Sequence, residues 1–437
     1  MALKKKEDLR QKNRAIISRL IDVVKVLSKG GKPFRGHSER EDSQEKGLFL
    51  ELVNLLAKYD PLLKNHIETG PKNALYLSNK IQNDLISAQH NVIFRKLKVK
   101  LRGKQITLIA DETSDVGHHE QLSVVVRYED NGVPVETIVG VYRITKTDAE
   151  TIFTKICEVV VSLGLTWGQI DAVCFDGANT MSGSQNGVQA RCKRMNPRML
   201  FVHCYAHCLN LVLVDAVTCK KDNTTAFDFF GVIQCLYAFI EGSPSRHAIF
   251  EKVVARCGSQ LKTLKTLSTT RWAARAEAVT AISEQLDEIV QTLREIVATT
   301  NSPDVKLKGK SILRQLSSFG FLVALNTLEP ILQQILTVSK ALQGEHVNFS
   351  TSMKAVELLK SSLISMKSND FFGSVYKNTV ATCSRMNIKG PEPHGDSEQD
   401  YWNTFFLPLI EALVAGIDSR FEQRSTQILR CLEKPSF

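Results

Sequence analysis

Two aspartates offer the chemistry most worth placing. Asp111 follows the run QITLIA, in which five of six residues are apolar or Thr, so its carboxylate emerges from a buried strand at the carboxyl end. Asp176 follows IDAVCF in the same way. Two carboxylates held close repel each other unless a divalent cation sits between them. Mg²⁺ or Mn²⁺ takes hard oxygen ligands, and such a site can activate water and steady a phosphodiester leaving group. The bland alternative is that each Asp caps the turn after its strand, as Asp commonly does. A second cluster is His203, Cys204, His207 and Cys208. Positions i and i+4 share a helical face, so these could hold zinc. All four lie within six residues, however, and a closed zinc site usually draws on two separated segments. A structural role is therefore the stronger reading, and no C-x-x-C pair is present.

The elements that must position these residues can be read in order. Residues 1–29 form one amphipathic helix, with Ile16, Leu20, Val24 and Leu27 at helical spacing before Gly30-Gly31. Further helices are expected at 47–60 and from about Ser78, a plausible N-cap, to Lys98. From Lys104 the pattern changes to strands: QITLIADE, then QLSVVVRYED, then VPVETIVGVYRI after the hairpin signal Asn131-Gly132. Asp148 caps a helix that ends at Gly164. IDAVCFDG is a fourth strand, a Gly/Ser/Asn-rich loop leads to a helix near 187–195, and MLFVHC begins as a fifth strand and turns helical. The order is β-β-β-α-β-α-β, a meander followed by two crossovers that make parallel pairs. A mixed five-stranded sheet of this order is α/β and has the layout of the RNase H-like fold, in which strands one and four are neighbours. Helices are expected at 226–256, 270–299, 305–343, 350–367 and 400–432. The domains expected are an N-terminal helical region over 1–100, the core over 101–218 and a helical insertion over 219–383. A linker over 384–400 and a C-terminal helix over 401–437 complete the chain.

The blocks IADETSD, EQLSVVVRYED, CFDGANTMSGSQNGVQARCK, FVHCYAHCLNLVLV and STTRWAAR together resemble the RNase H-like core of hAT-type transposases. They are most similar to domesticated relatives among zinc finger MYM-type and TTF-type finger proteins. The upstream FRGH, FLELVNLLAKYDPLL and YLSNKIQNDLI resemble the domain preceding that core. The resemblance implies that Asp111 and Asp176 are the first two acids of a metal-binding DDE triad. It implies that Cys204 and His207 form the C-x-x-H motif beside the second acid, and that Arg271 and Trp272 form the Arg-Trp motif of the insertion. In active relatives that Trp stacks on a flipped base, for which an indole face is well suited. Packing in an amphipathic helix is the competing role for Trp272.

The sequence also departs from the family. No Cys or His precedes His37, so no counterpart of the relatives' zinc finger is expected within this sequence. The third acid, a Glu expected after the insertion in an S-E-R-x-F-S block, is not found in these 437 residues, nor is the dimerisation segment that accompanies it. Glu329 and Glu345 are late by position, but neither has the family's flanking residues. The expectation is a catalytically silent relic or a fragment of a longer product, with Mg²⁺ or Mn²⁺ relevant if activity remains, and with weakened homo-oligomerisation. The alternative is an active metal-dependent DDE enzyme that cuts DNA.

Composition narrows the partners. The chain is 43% hydrophobic and 23% charged, which is globular rather than collagenous or disordered. Its 437 residues exceed one ordinary domain. No secretory signal opens the chain, and no apolar run suggests a bilayer crossing. Ten scattered cysteines read as reduced thiols of the cytosol or nucleus. The net charge is +10, concentrated in residues 1–40 and in the run Arg95, Lys96, Lys98, Lys100, Arg102 and Lys104. Such patches attract polyanions, DNA above all, although a charged run can equally be a solvated face. The function expected is a nuclear DNA-binding or protein-binding scaffold, weakly specific for DNA.

Overall fold

The computed structural model describes residues 2–37, 46–218, 224–265, 267, 272–344, 347–392 and 396–421. The chain divides into two compact units, Met1–Lys104 with Val160–Leu165, and Gln105–Val159 with Thr166–Phe437.

The first unit is helical: α1 (Ala2–Lys29), α2 (Leu48–Ala57), α3 (Pro61–Thr69) and α4 (Asn79–Leu101). The apolar stripe of α1, Ile16, Leu20, Val23, Val24 and Leu27, is buried with Phe49, Val53, Leu63 and Leu85. The helix expected over 47–60 stops at Ala57 because Asp60 starts another. Its Oδ1 accepts the Leu63 N–H at 2.9 Å, Pro61 takes the first helical position, and Arg19 donates to its other oxygen. Ser78 caps α4 as expected, accepting from the Ile81 N–H.

The second unit opens with the sheet. Its strands are β1 (Ile106–Ser114), β2 (Glu120–Asp130), β3 (Val133–Arg143), β4 (Ile170–Phe175) and β5 (Leu200–His203). Their spatial order is β3-β2-β1-β4-β5. The β1–β2 and β2–β3 pairs are antiparallel, and β1–β4 and β4–β5 are parallel. This is the α/β arrangement read from the sequence. The β2–β3 hairpin turns at Asn131 and Gly132, with φ of 55° and 81°. Positive φ at both positions is what a two-residue turn with native twist requires, and Gly pays no Cβ penalty there.

The crossovers are α5 (Ala149–Leu163), begun by Asp148 accepting the Thr151 N–H at 2.9 Å, and the pair α6 (Asn179–Ser182) and α7 (Val188–Met195). After β5 comes α8 (Tyr205–Thr218). Three of the long helices expected beyond it are split. The 226–256 stretch is α9 (Thr224–Glu241) and α10 (Pro244–Arg256), separated where Pro244 starts a new helix. The 270–299 stretch is α11 (Trp272–Glu284) and α12 (Leu286–Thr299), with buried Gln285 between them bonding both backbone groups of Lys262. The 305–343 stretch is α13 (Pro303–Leu316) and α14 (Phe319–Leu342), where Ser318 caps the second by accepting from Phe321 at 3.2 Å. Next are α15 (Phe349–Met366) and α16 (Asn369–Met386). The latter is missing from the sequence reading; Ser368 caps it and left-handed Asn387 ends it. Last come α17 (Glu398–Tyr401), a π-helical turn over Trp402–Phe406 and α18 (Leu407–Phe421).

One core joins α8 through α18, including Leu213, Ile240, Leu293, Leu328, Leu363 and Leu413. Among the described helices, α14 is long and apolar enough to cross a bilayer, contrary to the sequence reading, but it is mostly buried in this core. Its apolar surface is explained by packing.

Candidate active site

The parallel pairing of β1 with β4 sets Ile109 opposite Cys174. Two residues on from that pair stand Asp111, within β1, and Asp176, just past the end of β4, which continued alternation puts on one face of the sheet. β1 itself runs three residues past Asp111, because beyond Ile109 it pairs with β2 alone, down to Ser114 opposite Glu120. Asp111 therefore lies at the carboxyl end of the parallel pairing rather than at the end of its strand. On the other side of β4, Phe175 lies opposite His203, and the Cys204 N–H donates to the Phe175 carbonyl at 2.9 Å. That bond carries Cys204 to the level of Asp176.

These residues meet in a cleft of about 610 Å³. Its lining includes Asp111, Glu112, Glu120 and Asp176 from the sheet and its loops, Cys204, His207 and Asn210 around the start of α8, and Ser339 and Gln343 at the end of α14. Four carboxylates line it, and no Lys or Arg is among the described lining residues. Glu112 registers this crowding. Burial first, then the charges of Asp176, Glu120 and Asp111, raise its carboxyl to about 7. Ser114 Oγ donates to Glu120 at 2.6 Å across the strand pair.

Cys204 and His207 sit at the turn from β5 into α8. Burial raises the Cys204 thiol, partly countered by the backbone amides of His207 and Ala206. The His207 ring lies against the backbone of Gly177. A Cβ at that position would come within 3.3 Å of the ring and 3.2 Å of Leu211. Glycine after Asp176 thus lets α8 sit close to the loop that carries the second acid. His203 is held neutral by burial and by repulsion from His207, against a partial pull from Asp176. It packs on Phe201 with ring centroids 4.5 Å apart.

A DDE-type site would hold a divalent cation. Asp111 and Asp176 supply two hard oxygen donors, but Asp176 Oδ1 also accepts the Ala178 N–H at 3.2 Å, the capping role weighed from sequence. Among the described residues, no group of three or more His, Cys, Asp or Glu is placed to hold an ion. As placed, the side chains do not make a complete cation site.

The other expected residues are dispersed. Arg95, Lys96, Lys98 and Lys100 are exposed on the last turns of α4 in the first unit, with Lys98 Nζ 5.2 Å from the Phe94 ring centroid. Arg271 lies outside the described residues, and Trp272 begins α11 with its side chain undescribed. Glu345 lies outside the described residues too. Glu329 is on α14 ten residues before Ser339, about 15 Å along the helix, and does not line the cleft. Glu112, Glu120, Ser339 and Gln343 escaped the sequence reading. The first two could have been found by extending the β1–β2 hairpin register past Asp111.

Comparison with known proteins points to the same fold. The family model described as DUF4371: ZMYM1/FAM200, RNase-like domain matches residues 1–187. A Homo sapiens protein named "52 kDa repressor of the inhibitor of the protein kinase" is 21% identical over 454 residues, covering 97% of this chain and 59% of that protein. The Mus musculus protein of the same name is 20% identical over 455 residues with the same coverage. The chain thus spans about three-fifths of the length of these curated relatives. Over residues 1–187 the chain is similar to the ZMYM1/FAM200 RNase-like domain family, and over nearly its whole length it is distantly similar to these two curated proteins.

Proposed function

We propose that this is a catalytically silent, transposase-derived nuclear protein that binds DNA with little sequence preference and offers its helical half to protein partners. The observation that carries the reading is the composition of the cleft. The helical half contributes the neutral side chains Asn210, Ser339 and Gln343 to its described lining, where an active relative would bring a third acid. A cleft of four carboxylates with no cation in its described lining repels a phosphate backbone, so DNA is held by basic surface elsewhere. The exposed cations Arg95, Lys96 and Lys98 of α4 are of that kind. The human and mouse relatives are named as repressors, which accords with a regulatory role in the nucleus.

The second reading is metal-dependent cutting of DNA. Its specific support is the meeting of Asp111 and Asp176 in one cleft, with Glu112 nearby as a further carboxylate. Purified protein incubated with Mn²⁺ and end-labelled duplex decides between the two. The expected result is intact DNA and weak heats on calorimetric titration with Mn²⁺. Strand cleavage that disappears in Asp111→Ala would establish the second reading instead.

A further inference from the structure

We infer that one flank of α13, carrying Lys306, Lys310 and Arg314, is a docking surface for the phosphate backbone of duplex DNA. This rests on the nucleic-acid reading above and adds to it a surface within the helical half. The three cations are exposed and spaced four residues apart, so they stack along one side of the helix. The opposite side is fixed in the core through Gly309, Ile312 and Leu316. A Cβ at Gly309 would come within 2.8 Å of Val297 on α12, so the helix cannot roll to hide the flank.

Charge marks this flank out from its surroundings. Elsewhere in the helical half some exposed cations are tied to carboxylates on other elements, Arg256 to Glu295, Lys262 to Glu284 and Lys367 to Glu411. Among the described residues the exposed cations without an ion pair, such as Lys252, Arg294 and Lys354, do not form a row of three at four-residue spacing. On α13 itself Lys308 pairs with Asp304 at 2.9 Å. Among the described residues, none of Lys306, Lys310 and Arg314 has an ion-pair partner. Like charges four apart weaken a helix, and Lys306 sits near the helix N-terminus, where the macrodipole disfavours a cation. Arg314 in the last turn suits the dipole, but folding gains nothing from Lys306 and Lys310, whereas a polyanion relieves their repulsion.

Duplex DNA suits the spacing. The three charges span about 12 Å at 1.5 Å per residue. A duplex presents one phosphate charge per about 1.7 Å of axis, so the flank meets several phosphates in any register. Recognition would then be salt-dependent and indifferent to sequence.

The test is fluorescence anisotropy of the full chain with a labelled 20-base-pair duplex between 50 and 200 mM salt. The triple variant Lys306→Gln, Lys310→Gln, Arg314→Gln should flatten the plot of log affinity against log salt by about 2–3 units of slope, at about 0.9 per lost phosphate contact. Lys367→Gln, which removes a cation tied to Glu411 away from this flank, serves as a control and should leave the slope unchanged. Near-UV circular dichroism checks that the fold persists, and Lys310→Glu alone, with a weaker but same-signed effect, covers a failure of the triple variant to fold. If the wild-type chain binds duplex and the triple variant keeps its slope, this surface is wrong while the DNA reading stands. If the wild-type chain ignores duplex, both fail. If it instead binds poly-glutamate through these three residues, the surface belongs to an acidic protein partner and the assignment to DNA is overturned.

Discussion

The cleft and the α13 flank hold charge in opposite ways. The cleft gathers four carboxylates with no cation among its described lining residues, and one of them, Glu112, is pushed to about 7 by burial and its neighbours. The flank lines up three cations on an exposed helix face with no carboxylate paired to them among the described residues. The first is built into the sheet and cannot be relaxed without disturbing it. The second rests on a surface the fold scarcely feels. Crowded charge held by packing and unpaired charge left in solvent should therefore respond very differently to mutation.

The floor of the cleft gives the largest expected effect. Phe175, 1% exposed, immediately precedes Asp176. Phe175→Ala should cost about 3–5 kcal/mol in chemical denaturation, the range for truncating a buried Phe. A loss below about 1 kcal/mol would mean that the sheet end carrying Asp176 is not packed as described. Next is Gly177. Its close approach to His207 and Leu211 leaves no room for a branched side chain. Gly177→Val should cost about 1–3 kcal/mol by overpacking. Adding His207→Ala should recover part of that loss, and strict additivity of the two changes would show that they do not touch.

How much of this contrast was legible in the sequence depends on how far apart the contributing residues lie. The sheet could be read because alternation in Ile106, Leu108 and Ala110, the Asn131-Gly132 turn and the two crossovers are all local signals. They placed Asp111 and Asp176 on neighbouring strands without any tertiary information. Ser339 and Gln343 reach the cleft from more than a hundred residues downstream, and no local pattern announces that approach. The helical breaks failed for a different reason. Gln285 and Ser318 interrupt apolar stretches whose periodicity runs almost unbroken through them, so continuous helices look right until the bonds to Lys262 and Phe321 are known. Glu112 was overlooked because alternation turns it away from Asp111, although charge acts through space regardless of strand face.

Glu112 gives a pH signature that the flank lacks. Its carboxyl rises from the ordinary value of 4.5 to about 7 on folding. Below pH 4.5 both states are protonated and the group costs nothing. Between 4.5 and 7 the unfolded chain releases its proton while the folded chain keeps it, so stability falls as pH rises. Above 7 the loss is complete. Because the group is only half-buried, solvent screening limits it to about 1–2 kcal/mol. Glu112→Gln should flatten the stability curve over that window and make the protein more stable at pH 8. A steeper curve in the variant would mean that the charges of Asp111, Asp176 and Glu120 do not act on this site.

The smallest effect belongs to the flank, and its sign separates a surface kept for a partner from one kept for folding. Lys306→Gln removes a cation that repels Lys310 and sits at the unfavourable end of the α13 dipole. It should be neutral or stabilising by up to about 0.5 kcal/mol at low salt, with the gain vanishing as salt rises. Thermal denaturation at two ionic strengths measures this. A destabilisation of more than about 1 kcal/mol would show that Lys306 is bound to something within the folded chain, and the contrast with the cleft would collapse. A gain in stability accompanied by weaker affinity for duplex would mean that α13 carries the cation at the expense of its own stability, which is the pattern expected of a residue retained for binding.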